Sequence, residues 1–428
     1  MEKFFKLSEN NTTIGRELIS GLTTFVAMSY IVFVNPQMMV SAGMDQGASF
    51  VATCLAAALG CFFMGLYANW PVGLAPGMGL NAFFTYTIVG EMGYSWQIAL
   101  GAVFIAGVIF VIMSVTRLRA WMLASIPINL RIAMGAGVGL FIGVIGLQSG
   151  GIITDHASTL LTLGNLKTPQ TLLAAISFLL IMGLAVRQVP GAILIGVLIV
   201  TILGILSGQV QYQGLVSTPP SIAPIFSKLD IKGAFDVAMI SVIMSILFVN
   251  LFDTAGTLMA VASRAGLTDE NGKIKNIGLA IKADSTSSVA GAIVGCAPVT
   301  SYVESAAGIS AGGRTGLTAL TIGVLFLFTI FLAPLAGMVP AFATSGALIY
   351  VALMMMGGMQ QLSWSEPTEL LPALITIIMI PLSFSIANGI AVGFLSYVTL
   401  KLVMGKSSEI SGGAWFMTAI FALKFTLT

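Results

Sequence analysis

Charged side chains are scarce in this sequence. Only 8% of its 428 residues are Asp, Glu, Lys or Arg, whereas hydrophobic residues make up 57%. Soluble globular proteins carry about 25% charged residues, and a soluble chain of this length needs more charge than this to cover its surface. The composition therefore excludes a soluble globular protein and indicates a chain that is embedded in a lipid bilayer.

Histidine and cysteine are also rare. His156 is the single histidine, and the cysteines Cys54, Cys61 and Cys296 all stand in apolar stretches. These residues have neither the spacing of metal ligands nor that of a disulfide framework, so we expect no metal and no cofactor. No nucleophile–base pair points to an enzyme, and the absence of a basic run argues against a nucleic-acid partner.

Long apolar runs are what the sequence has instead. A membrane span needs roughly 20 apolar residues, and the N-terminal stretch is polar for too long to be a cleaved signal peptide. We predict an all-α polytopic membrane protein with about fourteen segments. These run near 18–40, 48–68, 71–90, 96–116, 129–149, 169–187, 190–208, 234–261, 277–295, 298–310, 315–335, 338–357, 367–386 and 388–405. The apolar stretch 412–427 is short, and is either a fifteenth span or a helix in the membrane interface.

The basic residues predict the orientation, because cytoplasmic loops carry an excess of Lys and Arg. In this threading only Lys167, Lys228 and Lys232 fall on the side opposite the N-terminus. The side of the N-terminus carries Lys3, Lys6, Arg16, Arg117, Arg119, Arg131, Arg187, Arg264, Lys273, Lys275, Arg314, Lys401 and Lys406. We therefore expect a cytoplasmic N-terminus in a plasma membrane, the inner membrane of a bacterium.

Two segments are interrupted at matching places. Gly73-Leu-Ala-Pro76 opens segment 3, and Gly295-Cys-Ala-Pro298 opens segment 10. Segments 1 and 8 share a weaker similarity, in which Asn35 corresponds to Asn250. A shift of seven spans is odd, so the two halves would enter the membrane from opposite sides, as in the inverted repeats of transporters.

The breaks predict a binding site near the middle of the membrane. Pro76 and Pro298 lack an N–H, and Gly77 and Gly79 weaken the helix further. Freed backbone groups cannot face lipid, so they must line a protein-walled or wet cavity, where they can bind a flat polar ligand. A simple proline kink is the alternative at either position alone.

Three acidic residues fall well inside spans: Asp253, Asp284 and Glu304. An acid in the membrane interior is costly and is a functional candidate by default. Asp253 and Glu304 lie on segments that the breaks place at the site, and we interpret them as proton-coupling and ligand-binding residues. Asp284 stands beside Lys282 and a run of serines, and we interpret it as structural.

Aromatic residues near the breaks complete the predicted pocket. Phe83, Phe84 and Tyr302 are placed to stack on a planar ring, whereas Phe25, Tyr30, Phe33 and Phe252 are less well placed. The alternative for each aromatic side chain is ordinary packing.

Three motifs are long enough to be specific. They are Ala75-Pro-Gly-Met-Gly-Leu-Asn-Ala-Phe-Phe84, Asn250-Leu-Phe-Asp-Thr-Ala-Gly-Thr257 and Thr300-Ser-Tyr-Val-Glu-Ser-Ala-Ala-Gly308, the last followed by Ala311-Gly-Gly-Arg-Thr-Gly-Leu-Thr318. They resemble the AzgA-type purine permeases, a branch of the xanthine/uracil permease superfamily of nucleobase–cation symporters. One departure is Cys296-Ala297-Pro298, where many members have small hydroxyl residues.

The resemblance implies two inverted repeats of seven spans, residues 1–233 and 234–428. It implies a short strand and a half-helix in segments 3 and 10. Segments 1–4 and 8–11 would form a core domain and the other segments a gate domain. The membrane lipid is the surrounding partner, and the superfamily fold is compatible with a homodimer.

The resemblance also implies a function, which is import of a purine nucleobase with a proton by alternating access. Asp253 and Glu304 match the two family acids, and Thr257 takes the position where uracil-type relatives carry a histidine. The stretch around Asn81 looks closer to guanine/hypoxanthine permeases than to adenine permeases. The predicted base-binding set is Gly77, Gly79, Asn81, Phe83, Phe84, Asp253, Thr257, Thr300, Tyr302 and Glu304.

Three alternatives stay open at this point. The first is a permease for adenine or another nucleobase. The second is an anion transporter or channel on the same fold, which basic residues at the site would favour. The third is a membrane enzyme, which the scarcity of histidine and cysteine disfavours.

Overall fold

The computed structural model is mostly helical. It describes residues 1–116, 126–157, 159–268 and 274–427. In the first half the helices are α1 Glu2–Phe5, α2 Ile14–Met28, α3 Ile31–Ser41, α4 Gln46–Phe63, α5 Met78–Ala82, α6 Trp96–Val115, α7 Ile128–Ser149, α8 Pro169–Val186 and α9 Ala192–Leu206. In the second half they are α10 Val237–Ala265, α11 Ile277–Val294, α12 Ser305–Ser310, α13 Gly316–Thr329, α14 Ala333–Met338, α15 Ala341–Met356, α16 Pro367–Leu382, α17 Ile386–Val403 and α18 Gly412–Leu427.

Apolar helices of membrane-spanning length dominate the fold. Within the described residues, ten helical stretches are long and apolar enough to cross a membrane, and three shorter apolar helices are Ala192–Leu206, Pro367–Leu382 and Gly412–Leu423. The predicted succession of apolar spans is confirmed in this coarser form. The stretch 412–427 is helical, and Phe421 of α18 stacks on Phe394 of α17 with ring centres 6.2 Å apart.

The first span is interrupted near its middle. α2 ends at Met28 and α3 begins at Ile31, which leaves Ser29 and Tyr30 between two helical stretches. The Ser29 N–H still donates to the Phe25 carbonyl at 2.8 Å, and the Tyr30 carbonyl accepts from the Phe33 N–H at 3.1 Å, so hydrogen bonding continues on both sides of the interruption. The interruption brings the Tyr30 side chain into the protein interior, where it is 1% exposed.

The two predicted breaks are joined to each other. Strand β1 (Leu74–Pro76) pairs antiparallel with strand β4 (Val299–Ser301), with Ala75 opposite Thr300. Two further backbone bonds extend the ladder, from Gly77 N–H to the Pro298 carbonyl at 2.9 Å and from Tyr302 N–H to the Gly73 carbonyl at 3.0 Å. The ladder satisfies backbone groups that the breaks release, which the membrane interior requires.

Each strand leads into a short helix. β1 is followed by α5, which continues as the π-helical stretch Phe83–Glu91, and β4 is followed by α12. The strand and half-helix that the resemblance implied at each break are therefore present. A second small sheet corrects the all-α expectation: β2 (Ile153–His156) and β3 (Leu160–Leu163) form an antiparallel pair in the loop after α7. These strands are mostly exposed and too short to show a clear alternation of polar and apolar residues in the sequence.

The long helices pack in two groups. In the first group α4 packs on α3, α11 and α13, and α6 packs on α10 and α11. In the second group α7 packs on α15 and α16, α8 packs on α9 and α15, and α16 packs on α17. The first group contains the paired strands β1 and β4. The cavity described next lies between the two groups.

Candidate substrate cavity

A cavity of about 400 Å³ lies between the two packing groups. The first group contributes Gly79, α10 residues near Asp253, and Glu304. The second group contributes the first turns of α7 and the last turn of α15, including Arg131 and Met355. A smaller cavity of about 80 Å³ adjoins it, shares several of these walls, and extends to the two strands. The volume of the larger cavity is within the range of small-molecule sites.

Seven of the ten predicted binding residues line one or both cavities. They are Gly77, Gly79, Asp253, Thr257, Thr300, Tyr302 and Glu304. The structure does not bring Asn81, Phe83 or Phe84 to either cavity wall, and all three are enclosed in the protein with at most 1% of their surface exposed. The Asn81 amide has no hydrogen-bond partner for either its oxygen or its nitrogen within the described residues.

Glu304 is held by a residue from the first span. The Tyr30 hydroxyl donates to a Glu304 carboxylate oxygen at 2.9 Å, and Glu304 precedes the first turn of α12. A hydroxyl that donates to a carboxylate forms one of the stronger kinds of hydrogen bond. The bond fixes the position of Glu304 at the cavity wall.

Asp253 faces the cavity from α10. Its side chain is exposed to the cavity space, and the next residue, Thr254, points away from the cavity and is fully buried. Asp253 and Glu304 therefore offer carboxylate oxygens to the same space from two different elements. This arrangement can accept hydrogen bonds from a ligand and can exchange a proton.

Asp284 is buried away from the cavity. Its carboxylate accepts from the Thr254 hydroxyl at 2.7 Å, from the Ser301 N–H at 2.8 Å and from the Ser301 hydroxyl at 2.7 Å. It thus joins α11 to α10 and to strand β4. Three donors satisfy this carboxylate inside the protein, which fits the interpretation of Asp284 as structural.

Tyr302 ties the two breaks together. Its hydroxyl donates to the Pro76 carbonyl at 2.5 Å and the side chain is buried. The Pro76 carbonyl belongs to the end of β1, where the chain turns into α5 through Gly77. Tyr302 therefore lines the smaller cavity and also positions the backbone that leads into the first half-helix.

Two glycines allow close packing at the site. A Cβ added at Gly77 would lie 2.6 Å from Thr300 Cγ2, and one added at Gly79 would overlap Val138 Cγ1. Val138 lies on α7 in the second packing group, so Gly79 marks a close contact between the two groups. A side chain at Gly79 would push the groups apart.

Arg131 and Tyr30 are polar residues of the site that the sequence analysis did not place there. Arg131 was assigned to the cytoplasmic loops, but it lies in the first turns of α7 and lines the larger cavity. Its guanidinium carbon is 6.0 Å from the centre of the Phe252 ring. Tyr30 was ranked among the less well placed aromatics, yet it contacts Glu304. The one available signal for Arg131 was its position four residues after Pro127, since proline is frequent at helix starts.

The fold and the cavity define a class of protein. The chain has apolar spans, two broken segments that meet at a cavity, and carboxylates that face this cavity. These are the features of a polytopic membrane transport protein. Comparison with known proteins identifies the family. The model described as "Permease family" (Xan_ur_permease) matches residues 15–392, and the chain belongs to this family of integral membrane permeases.

Curated relatives match along nearly the whole chain. Adenine permease AdeP of Escherichia coli is 47% identical over 424 residues, which cover 99% of this chain and 95% of AdeP. Guanine/hypoxanthine permease PbuG of Bacillus subtilis is 43% identical over 437 residues, which cover 99% of each chain. Guanine/hypoxanthine permease GhxP of Escherichia coli O157:H7 is 37% identical over 421 residues, covering 96% of this chain and 94% of GhxP. These relatives are permeases and not enzymes.

Solved structures share the fold at low identity. The transmembrane domain of the cyanobacterial bicarbonate transporter BicA superposes with a TM-score of 0.67 at 16% identity, covering 88% of this chain and 97% of that domain. Murine Slc26a9, an anion transporter in the inward-facing state, gives a TM-score of 0.62 at 14% identity, covering 92% of this chain and 69% of that chain. At this identity the similarity concerns the fold alone.

Proposed function

We propose that this permease imports a purine nucleobase together with a proton. The observation that carries the proposal is the pair of carboxylates, Asp253 on α10 and Glu304 just before α12, which face one cavity. A carboxylate in a membrane interior binds a proton readily, because burial disfavours the charged form. Glu304 and Asp253 thus serve both as acceptors for the N–H groups of a base and as carriers of the coupled proton.

The architecture we propose has fourteen segments in two inverted repeats, residues 1–233 and 234–428. The number fourteen counts the ten long apolar stretches, the two broken segments, and two of the three shorter apolar helices. Matched polar contacts support the repeat. Asn35 donates to Thr53 in α4 at 2.7 Å, and its counterpart Asn250 donates to Ser288 in α11 at 2.9 Å. The two packing groups correspond to the proposed core and gate domains.

The conformation we propose is inward-facing. With a cytoplasmic N-terminus, the start of α7 and the end of α15 lie on the cytoplasmic side, so the larger cavity opens towards the cytoplasm. Gln37 of α3, at the opposite end, closes the path between the groups. Its amide nitrogen donates to the Val339 carbonyl at 2.7 Å, and the Thr344 hydroxyl donates to its amide oxygen at 2.6 Å.

The base we propose is guanine or hypoxanthine. Both carry a 6-oxo acceptor beside an N1–H donor. Glu304 can accept from the N1–H, and the backbone N–H groups that follow Gly77, as far as Gly79, can donate to the oxo group. Adenine presents an amino donor beside a bare N1, and each mismatched buried polar group costs about 1–3 kcal/mol. Two mismatches correspond to discrimination on the order of a hundredfold.

Two other candidates have an observation in their favour. Adenine is favoured by the relatives AdeP and AdeQ of Escherichia coli, which are adenine permeases at 47% and 43% identity. Anion transport is favoured by Arg131 in the cavity wall, but two carboxylates face the same space and disfavour a small anion there. The homodimer stays a prediction from the fold.

Uptake of labelled hypoxanthine into cells that lack their own purine permeases tests the proposal. We expect uptake that a protonophore abolishes and that unlabelled guanine inhibits more strongly than adenine or uracil does. Inhibition by adenine as strong as that by guanine would assign the other purine. Uptake that follows a sodium gradient after collapse of the proton gradient would overturn the coupling, and bicarbonate transport without purine uptake would establish the anion alternative.

A further inference from the structure

Arg131 is a cation that the fold itself does not explain. It stands in the first turns of α7, whose N-cap is Pro127, and the positive end of a helix dipole disfavours a cation there. None of the salt bridges among the described residues involves Arg131. Its Nε is buried and has no hydrogen-bond acceptor within the same part of the chain. A buried donor without an acceptor destabilises the folded protein. Stability therefore gives no reason for an arginine at this position.

The surroundings of Arg131 leave room for a planar ligand. The guanidinium lies 6.0 Å from the Phe252 ring centre, and Asp253 follows Phe252 on the same helix. A Cβ added at Gly135, one turn after Arg131, or at Gly256, one turn after Phe252, would meet no atom within 4 Å. Glycines therefore keep both helices clear of the space that the guanidinium and the aromatic ring border.

The donors and acceptors around this space are complementary to a purine. Asp253 and Glu304 offer acceptors, whereas a guanidinium offers only donors, arranged in a fixed fork. A purine has N–H groups on one part of its perimeter and the lone pair of an imidazole nitrogen on another. Arginine commonly binds N7 and O6 of guanine through two parallel hydrogen bonds.

We infer that Arg131 is the second packing group's ligand for the base, donating to N7 and, in a 6-oxopurine, also to O6. The inference rests on the proposed purine substrate and adds the residue that reads the imidazole edge. Asp253 and Glu304 belong to the first packing group and Arg131 to the second. One bound base thus contacts both packing groups. Its binding energy favours one position of the first packing group relative to the second.

Competition by 7-deaza analogues tests this contact. In a 7-deazapurine, a C–H group replaces the N7 acceptor and the ring shape is kept. In the wild type we expect 7-deazahypoxanthine to compete for hypoxanthine uptake about tenfold less well than hypoxanthine does, the discrimination typical of a lost arginine–purine contact. In Arg131→Gln, hypoxanthine itself should bind about tenfold more weakly, and the difference between the two compounds should disappear. If the carrier prefers adenine, adenine and 7-deazaadenine serve in the same way.

Two further variants complete the experiment. Arg131→Lys keeps the charge but loses the fork, so it should keep part of the discrimination, and it carries the comparison if Arg131→Gln fails to reach the membrane. Arg187→Gln, at the exposed end of α8, is the matched control and should behave as the wild type.

The outcomes separate this inference from the proposed function. A wild type that takes up no purine overturns the proposed function and the inference with it. A wild type that transports a purine but does not distinguish the deaza analogue, or an Arg131→Gln variant that distinguishes it as well as the wild type does, overturns the inference alone.

Discussion

Tyr30 and Glu304 are joined by a hydrogen bond of 2.9 Å although 274 positions separate them in the sequence. Tyr30 lies at the interruption between α2 and α3, and Glu304 lies between β4 and α12. The bond connects the first span to the second break and fixes a carboxylate at the cavity wall. Replacing either residue therefore alters the site without changing the apolar surface that faces lipid.

Tyr30→Phe should impair transport and leave the amount of protein in the membrane unchanged. Phenylalanine keeps the ring and removes only the donor, and a hydrogen bond to a charged group contributes about 1.5–3 kcal/mol. We expect kcat/KM for purine uptake to fall by about tenfold or more, measured as initial rates in membrane vesicles.

Tyr94→Phe is the matched control for that experiment. The Tyr94 hydroxyl donates to the Asp236 carboxylate at 2.6 Å in the loops outside the membrane, and this hydrogen bond raises the pKa of Tyr94 to about 12. The control loses the same kind of bond far from the cavity and should transport normally. Equal losses in both variants would mean that Tyr30 has no special role at the site.

The three acids should respond differently to amide substitution. Asp253→Asn and Glu304→Gln keep the shape and remove the titratable group, so we expect each variant to reach the membrane and to lose concentrative uptake. Asp284→Asn instead turns an amide N–H₂ towards the donors of Thr254 and Ser301. An unsatisfied buried donor costs about 1–3 kcal/mol, so this variant should unfold at a lower temperature in detergent.

Thermal unfolding and uptake, measured on the same preparations, check this division. Normal accumulation by both Asp253→Asn and Glu304→Gln would show that these acids are structural. An Asp284→Asn variant with wild-type thermal stability would contradict the role assigned to its three hydrogen bonds.

Gly79→Ala should slow transport, because the new methyl group overlaps Val138 on the opposite packing group. Overpacking of this kind costs about 1–3 kcal/mol, and we expect uptake to fall by roughly tenfold. Val138→Ala in the same chain removes the overlap and should restore uptake to within about threefold of the wild type. Gly183→Ala on α8, away from the cavity, is the control, because an added Cβ there also meets nothing within 4 Å. A double variant as slow as Gly79→Ala would refute the steric explanation.

Gln37→Met should favour opening on the side opposite the cytoplasm. It removes the bonds to Val339 and Thr344, and two neutral hydrogen bonds contribute about 1–3 kcal/mol together. A cysteine introduced at Gly256 reports the conformation, because this position lines the larger cavity. Its labelling from the cytoplasm should slow by about fivefold or more. Ser41→Ala, which loses a bond to the Gln37 carbonyl within its own helix, should label at the wild-type rate.

The broken segments were predictable because their cause is local. Pro76 and Pro298 lack a donor wherever they stand, and a membrane allows unpaired backbone only at a cavity. The sequence alone therefore located the breaks and placed Asp253 and Glu304 near them. What it did not show is that the two breaks pair with each other as β1 and β4, since three-residue strands carry no periodicity.

The side-chain directions were harder to predict. Phe83 begins a π-helical stretch, and such a stretch changes the rotation per residue, so α-helical spacing does not tell which face Phe83 and Phe84 occupy. Tyr30 shows its role only through a contact with a residue far away in sequence. Arg131 was counted with the loop charges, because its position at the start of a span says nothing about whether it turns towards water or into a cavity.

The pairing of β1 with β4 sets an order of events in biosynthesis. Pro76 and Tyr302, which the ladder brings together, are 226 positions apart. A ribosome that adds about 5–20 residues per second needs roughly 10–45 s to make that length of chain. During this interval the first strand has no partner, so its backbone groups must be kept from the lipid by water or by the translocation machinery. The cavity that we propose as the binding site is completed only when the second break has been synthesised. A chain released before that point would hold an unfinished ladder inside the membrane.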